Sequence, residues 1–187
     1  MFLSLARITA GRDLSWPEFV ALAGDIGYGG VDIELDKVRE DGAAATLDLL
    51  GEYKLKPAVC GLPVEFRQDD AVFNEGMKDL GEYARLAVEI GCPRMATWVL
   101  PAYETPARQM RKILKRRFTE IARVLADVGV RIGLEFISPW HFRQSGHVCN
   151  IWQMTDMLEL CHECGDNVGL LLDSWHWHHD PDHSVQA

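Results

Sequence analysis

A single unit recurs along this chain of 187 residues: a helix-period stretch stopped by glycine, a short apolar run, and a polar loop that opens the next helix. The apolar runs are FLSLARI at 2–8, GYGGVDIEL at 27–35, LKPAVCGLP at 55–63, GCPRMATWVLP at 91–101, GVRIGLEFIS at 129–138 and DNVGLLLDSW at 166–175. Helices are predicted between them over 14–26, 41–53, 71–90, 105–128 and 151–164. Gly27, Gly91, Gly129 and Gly165 stand where helices stop, the left-handed cap position. Strands that alternate with helices imply a parallel sheet with helices covering it. The stretch 105–128 shows the period directly. Met110, Ile113, Leu114, Phe118, Ile121 and Leu125 make one apolar face, and Arg108, Arg111, Lys112, Lys115 and Arg116 take the other as a solvated surface.

Two parallel architectures compete. A doubly wound sheet carries a glycine-rich phosphate loop after its first strand, and ITAGRDLSW holds neither GxGxxG nor a Walker pattern. A (β/α)8 barrel needs no such loop and places chemistry at the C-terminal ends of many strands. The polar and aromatic residues here sit at such ends: Glu34, Trp98, Glu135 and Asp173. The fold expected is therefore an α/β (β/α)8 TIM barrel over a single domain, 1–187. Six strands cannot close an eight-stranded barrel. The chain is expected to be C-terminally incomplete, ending as the sixth helix begins at HSVQA, and to bind metal weakly and turn over little by itself.

A net charge of −9 disfavours a nucleic-acid partner, because phosphate backbones need Lys and Arg to neutralise them. No run approaches a membrane span and the N-terminus lacks signal-peptide character, so a cytoplasmic protein is expected. The five scattered cysteines fit a reducing compartment. CHEC at 161–164 lacks a second ligand pair and is read as chance cysteines near a helix end.

Glu135 and Asp173 are the residues that call for chemistry. A carboxylate inside an apolar strand is costly unless it is paired or coordinated. On neighbouring strands of a barrel, both would face the mouth and suit Mg²⁺, Mn²⁺, Co²⁺ or Zn²⁺. The competing reading is an ion pair of Glu135 with Arg94 or Arg131. His176, three residues past Asp173, can reach the same mouth as a ligand or substrate donor. His178, His179 and His183 are read as a polar loop, with Asp180 or Asp182 near the cap of the next helix. His141 could face the pocket, Trp98 is the best candidate for its wall, and Glu34 either contacts a substrate hydroxyl or pairs with Lys37 or Arg39.

Taken together, GYGGVDIEL, GLEF with Glu135, and VGLLLDSWHW with Asp173 and His176 resemble the xylose-isomerase-like TIM-barrel family of sugar phosphate isomerases and epimerases. The resemblance implies that Glu135 is a metal ligand that also exchanges a substrate proton, that Asp173 is a second ligand, and that His176 hydrogen-bonds substrate oxygens. The function implied is a divalent-metal-dependent isomerase or epimerase acting on a small-molecule carbohydrate, with a homo-oligomer compatible with it. A dehydratase on the same scaffold, or an inactive barrel, is the alternative. The family's further ligands, a His on the seventh strand and a Glu on the eighth, lie past Ala187. Ketose epimerases also carry Glu six residues after the fifth-strand ligand, where this chain has His141. The family's apurinic-site endonucleases need His at strand ends that here read CGLP and TWVL.

Overall fold

The computed structural model describes residues 1–11, 13–144, 146–148 and 151–181. In chain order the elements are β1 (Ser4–Leu5), α1 (Trp16–Ile26), β2 (Gly30–Ile33), α2 (Leu35–Asp41), α3 (Ala43–Glu52), β3 (Lys56–Gly61), α4 (Asp70–Glu89), β4 (Arg94–Val99), β5 (Ala102–Tyr103), α5 (Ala107–Ala126), β6 (Arg131–Phe136), β7 (His147–Val148), α6 (Met154–Cys164), β8 (Val168–Leu171) and α7 (Ser174–His178). Short 3₁₀ turns at Arg7–Thr9 and Trp140–Arg143 complete the set.

The main sheet is β1-β2-β3-β4-β6-β8, parallel at every pairing. Each strand lies beside the one before it in the sequence, so the sheet winds in one direction and has no point at which strand order reverses. That is barrel winding rather than doubly wound order. The small ribbon β5–β7 is antiparallel and joins the segments that follow β4 and β6.

Local chemistry explains most boundaries. The Ser15 hydroxyl accepts from the Glu18 N–H while the Glu18 carboxylate accepts from the Ser15 N–H, a reciprocal cap that starts α1. Gly27, at φ 92°, ends that helix in the left-handed conformation glycine adopts without strain. The run at 2–8 gives only a two-residue strand, because the Arg7 N–H donates to the Asp32 carboxylate instead of to a backbone carbonyl of β2. The helix expected over 41–53 is two helices, α2 and α3, separated by Gly42 at φ 89°.

Along β6 burial alternates, with Ile132, Leu134 and Phe136 buried beneath the helices and Gly133 and Glu135 on the opposite, inner face. Gly133 and Gly169 pair in register on β6 and β8, so little side-chain volume fills the inner face there. The α5 face read from the sequence packs as expected: Met110, Leu114, Phe118, Ile121 and Leu125 are buried. Its basic side carries ion pairs to α6, from Arg111 and Lys115 to Glu163. Cys161 and Cys164 are buried in the core, and the Cys161 thiol donates to the Gly169 carbonyl.

Asn167 ties the last strand to its neighbours. Its amide donates to the carbonyls of Ala122 at 2.9 Å and Val130 at 3.1 Å. Asn167→Ala strands both acceptors and is expected to cost about 2 kcal/mol. Urea unfolding would read the cost, and a change below about 0.5 kcal/mol would show the two bonds to be incidental.

Candidate metal centre at the C-terminal edge of the sheet

Glu135 stands one residue before the end of β6 and Asp173 two residues past the end of β8, on strands that pair directly. Asp173 caps the short helix α7, where its carboxylate accepts the Trp175 N–H at 2.7 Å. One turn further, His176 is buried, with 8% of its surface exposed. One ligand atom from each of Glu135, Asp173 and His176 lies within 4.8 Å of the others.

The electrostatics of this cluster are unfavourable in the bare protein. Burial first, and then the neighbouring Asp173 carboxylate, push the Glu135 carboxyl up from 4.5 to about 7. Burial lowers the His176 pKa, against the opposing pull of Asp173, which favours the neutral imidazole that metals bind. The His176 Nδ1 atom is buried without a hydrogen-bond partner. Two repelling carboxylates and an unsatisfied neutral imidazole form a donor set completed by a divalent cation, so these residues fit one. Neither Arg94 nor Arg131 neutralises Glu135. Arg94 instead donates to the carbonyls of Ala58 and Pro57 near the start of β3.

Trp98 pairs in register with Glu135, on the adjacent strand β4, and keeps 44% of its surface exposed. Together with Glu34 it lines a groove of about 670 Å³ at the ends of β1 to β4. Glu34 pairs with Arg7 at 2.7 Å rather than with Lys37 or Arg39. His141 lies in the 3₁₀ turn after β6, exposed and with its ring 4.3 Å from that of Phe142. Asp180, named with Asp182 as a candidate cap of a following helix, reaches back to α6. It is buried and accepts the Met154 N–H at the start of α6, a contact between segments 26 residues apart. His183 and Asp182 lie outside the described residues.

Two groups went unread in the sequence. Arg67, in the loop after β3, lies over the rings of Phe66 at 4.1 Å and Trp98 at 4.0 Å. Arg117, on the apolar side of α5, is buried and holds that loop.

A one-way parallel α/β sheet with a carboxylate–imidazole cluster at its C-terminal edge defines a TIM-barrel-type fold with its site at the usual end. Residues 20–187 match the xylose isomerase-like TIM barrel family, and the chain belongs to that family. A xylose isomerase domain protein from Alicyclobacillus acidocaldarius is similar at 26% identity and TM-score 0.83, over 94% of this chain and 64% of that one. An IOLI protein whose structure holds a zinc atom aligns at 24% identity and TM-score 0.72, over 95% and 64%. D-Psicose 3-epimerase from Clostridium cellulolyticum H10, solved with D-tagatose, aligns at 11% identity and TM-score 0.76, over 98% and 67%. The likeness of the last two is one of fold. The chain thus spans about 64% of the length of the first two structures. No curated protein matches it in sequence. Among the described residues, no helix is long and apolar enough to cross a membrane.

Proposed function

We propose that this chain carries the proton-transfer half of a divalent-metal-dependent sugar isomerase or epimerase. The observation behind this reading is the convergence of Glu135, Asp173 and His176 within 4.8 Å at the edge where barrel enzymes do chemistry. The Glu135 carboxyl, partly buried on the inner face of β6, is placed to take a proton from a carbon beside a carbonyl and to return it. Glu135 is assigned that role. Asp173 would be the second ligand of a bound cation and is itself oriented by the Trp175 N–H. His176, neutral and buried, serves as a further ligand or donates to a substrate oxygen. The cation, when bound, supplies positive charge beside the substrate oxygens on which negative charge develops. Return of the proton to the neighbouring carbon isomerises the substrate, and return from the opposite face epimerises it.

A dehydratase that begins with the same proton abstraction is the second reading. It is favoured by His141 at the position where ketose epimerases carry glutamate. The experiment is prolonged incubation of the chain, at saturating metal, with a free ketose in D₂O, followed by NMR, so that slow turnover still registers. Deuterium should enter at the carbon beside the carbonyl and depend on Glu135. Release of water to give a deoxy-dicarbonyl product would favour the dehydratase, and no exchange above a Glu135→Gln control would remove both readings.

A further inference from the structure

We propose that the groove at the ends of β1 to β4 receives the uncharged, hydroxylated end of the substrate, with the Asp32 carboxylate as acceptor and the Trp98 indole as apolar platform, and that it selects against phosphorylated substrates. The proposal rests on the Glu135 cluster being the reacting centre, one strand away from Trp98.

The charges of this wall carry the argument. Its two guanidinium groups are already committed. Arg7 gives Nε to Glu34 at 2.7 Å and Nη2 to the Leu14 carbonyl at 2.5 Å, with its plane over Phe19. Its remaining nitrogen, Nη1, is buried out of reach of a ligand. Arg67 gives Nη2 to the Trp98 carbonyl at 2.7 Å and to Thr97 Oγ1 at 3.3 Å, and Nη1 to Glu65 at 3.4 Å. Its Nε is likewise buried. Neither residue offers the open fork of N–H groups that holds a phosphate. A phosphate in the groove would instead meet Asp32, Glu34 and Asp36, all of which line it, and like charges there repel.

A polyol meets the opposite situation. Asp32 is partly buried and lines the groove, and its described hydrogen bond is a single one, from the Arg7 N–H to Oδ2 at 3.1 Å. Acceptor capacity is left over, and sugar hydroxyls donate well to carboxylates. Trp98 adds an apolar surface suited to the C–H face of a sugar. Stacking of Arg67 on the indole holds it in place, so little side-chain entropy is lost on binding. Asp32 and Trp98 are thus assigned as specificity residues and Arg67 as the positioning residue for Trp98.

The test is equilibrium binding to the metal-free chain, by titration calorimetry, of D-fructose and of D-fructose 6-phosphate. Leaving the metal out separates the groove from the Glu135 centre. The free sugar is expected to bind at least about tenfold tighter than its phosphate ester. Asp32→Asn should weaken the free sugar by about tenfold while improving the ester, so that the preference narrows. Arg67→Lys, which keeps the charge but loses the planar stack, should weaken both sugars alike, with Trp98→Leu doing the same. Circular dichroism of each variant confirms folding. Equal or tighter binding of the ester, an Asp32→Asn variant with unchanged preference, or absence of saturable binding by either sugar would overturn the proposal. Failure of the Glu135 reading shows separately, as metal affinity that Glu135→Gln leaves intact.

Discussion

Glu135→Gln is expected to make the metal-free protein more stable at pH 8 and to remove the proton-transfer activity of the metal-loaded protein. The two effects share one cause. In the folded chain the Glu135 carboxyl titrates at about 7 instead of 4.5, because it is half-buried beside Asp173. Between those values the folded state holds a proton that the unfolded chain has released, so the stability of the metal-free protein falls as pH rises from about 4.5 to 7. Above 7 the full penalty applies, about 3 kcal/mol from the pKa gap and nearer 2 kcal/mol once partial solvent exposure is allowed for. Glutamine has no charge to bury or to repel Asp173, so chemical denaturation at pH 8 should show a gain of about 2 kcal/mol that disappears near pH 4. Metal affinity should fall sharply, and proton exchange by about 10²–10⁴-fold, the size of a lost general base. A variant that loses stability at pH 8, or keeps its exchange rate, would contradict the assignment of Glu135 as a strained, functional carboxylate.

The second large effect is expected at Arg117. Its guanidinium is 3% exposed and donates to the carbonyls of Phe66 and Gln68 and to the Asp70 carboxylate, each at 2.6 Å. It also lies over the Phe73 ring. These bonds fasten the loop between β3 and α4 against α5, and that loop delivers Arg67 to Trp98. Arg117→Ala leaves two carbonyls unsatisfied and opens a cavity, at an expected cost of about 3–5 kcal/mol. Arg117→Met restores most of the volume without the donors, so its smaller loss separates packing from hydrogen bonding. Urea unfolding gives both values. A cost below about 1 kcal/mol for the alanine variant would show that the loop is held by other contacts.

The parts of this molecule that the sequence made legible are those governed by period. Glu135 and Asp173 interrupt apolar runs at strand ends, and the structure brings them together because β6 and β8 are neighbours in a one-way sheet. The α5 face was legible for the same reason. What escaped was fixed by tertiary contacts. The run at 2–8 reads as a long strand, and only the fold brings the Asp32 carboxylate to the Arg7 N–H and ends it early. Asp180 reads with Asp182 as a candidate cap of a following helix, and only the fold shows that it satisfies the first turn of α6. Glu34 has cations nearby in sequence, but its partner Arg7 arrives from the 3₁₀ turn that follows β1. Arg117 did carry a signal. It stands three residues after Leu114 and four before Ile121, in phase with the buried face, while its basic neighbours are out of phase. A cation on an apolar stripe has the same meaning as a carboxylate in an apolar strand: both need a partner inside the fold.

The shared cation is tested most directly by diffraction from crystals of the zinc-loaded chain, with anomalous data collected at the zinc edge. One ion is expected about 2.0–2.2 Å from a carboxylate oxygen of Glu135 and of Asp173 together. An ion seated elsewhere, on Cys161 and Cys164 or on the exposed His178 and His179 at the end of α7, or no ion at a saturating zinc concentration, would contradict the account.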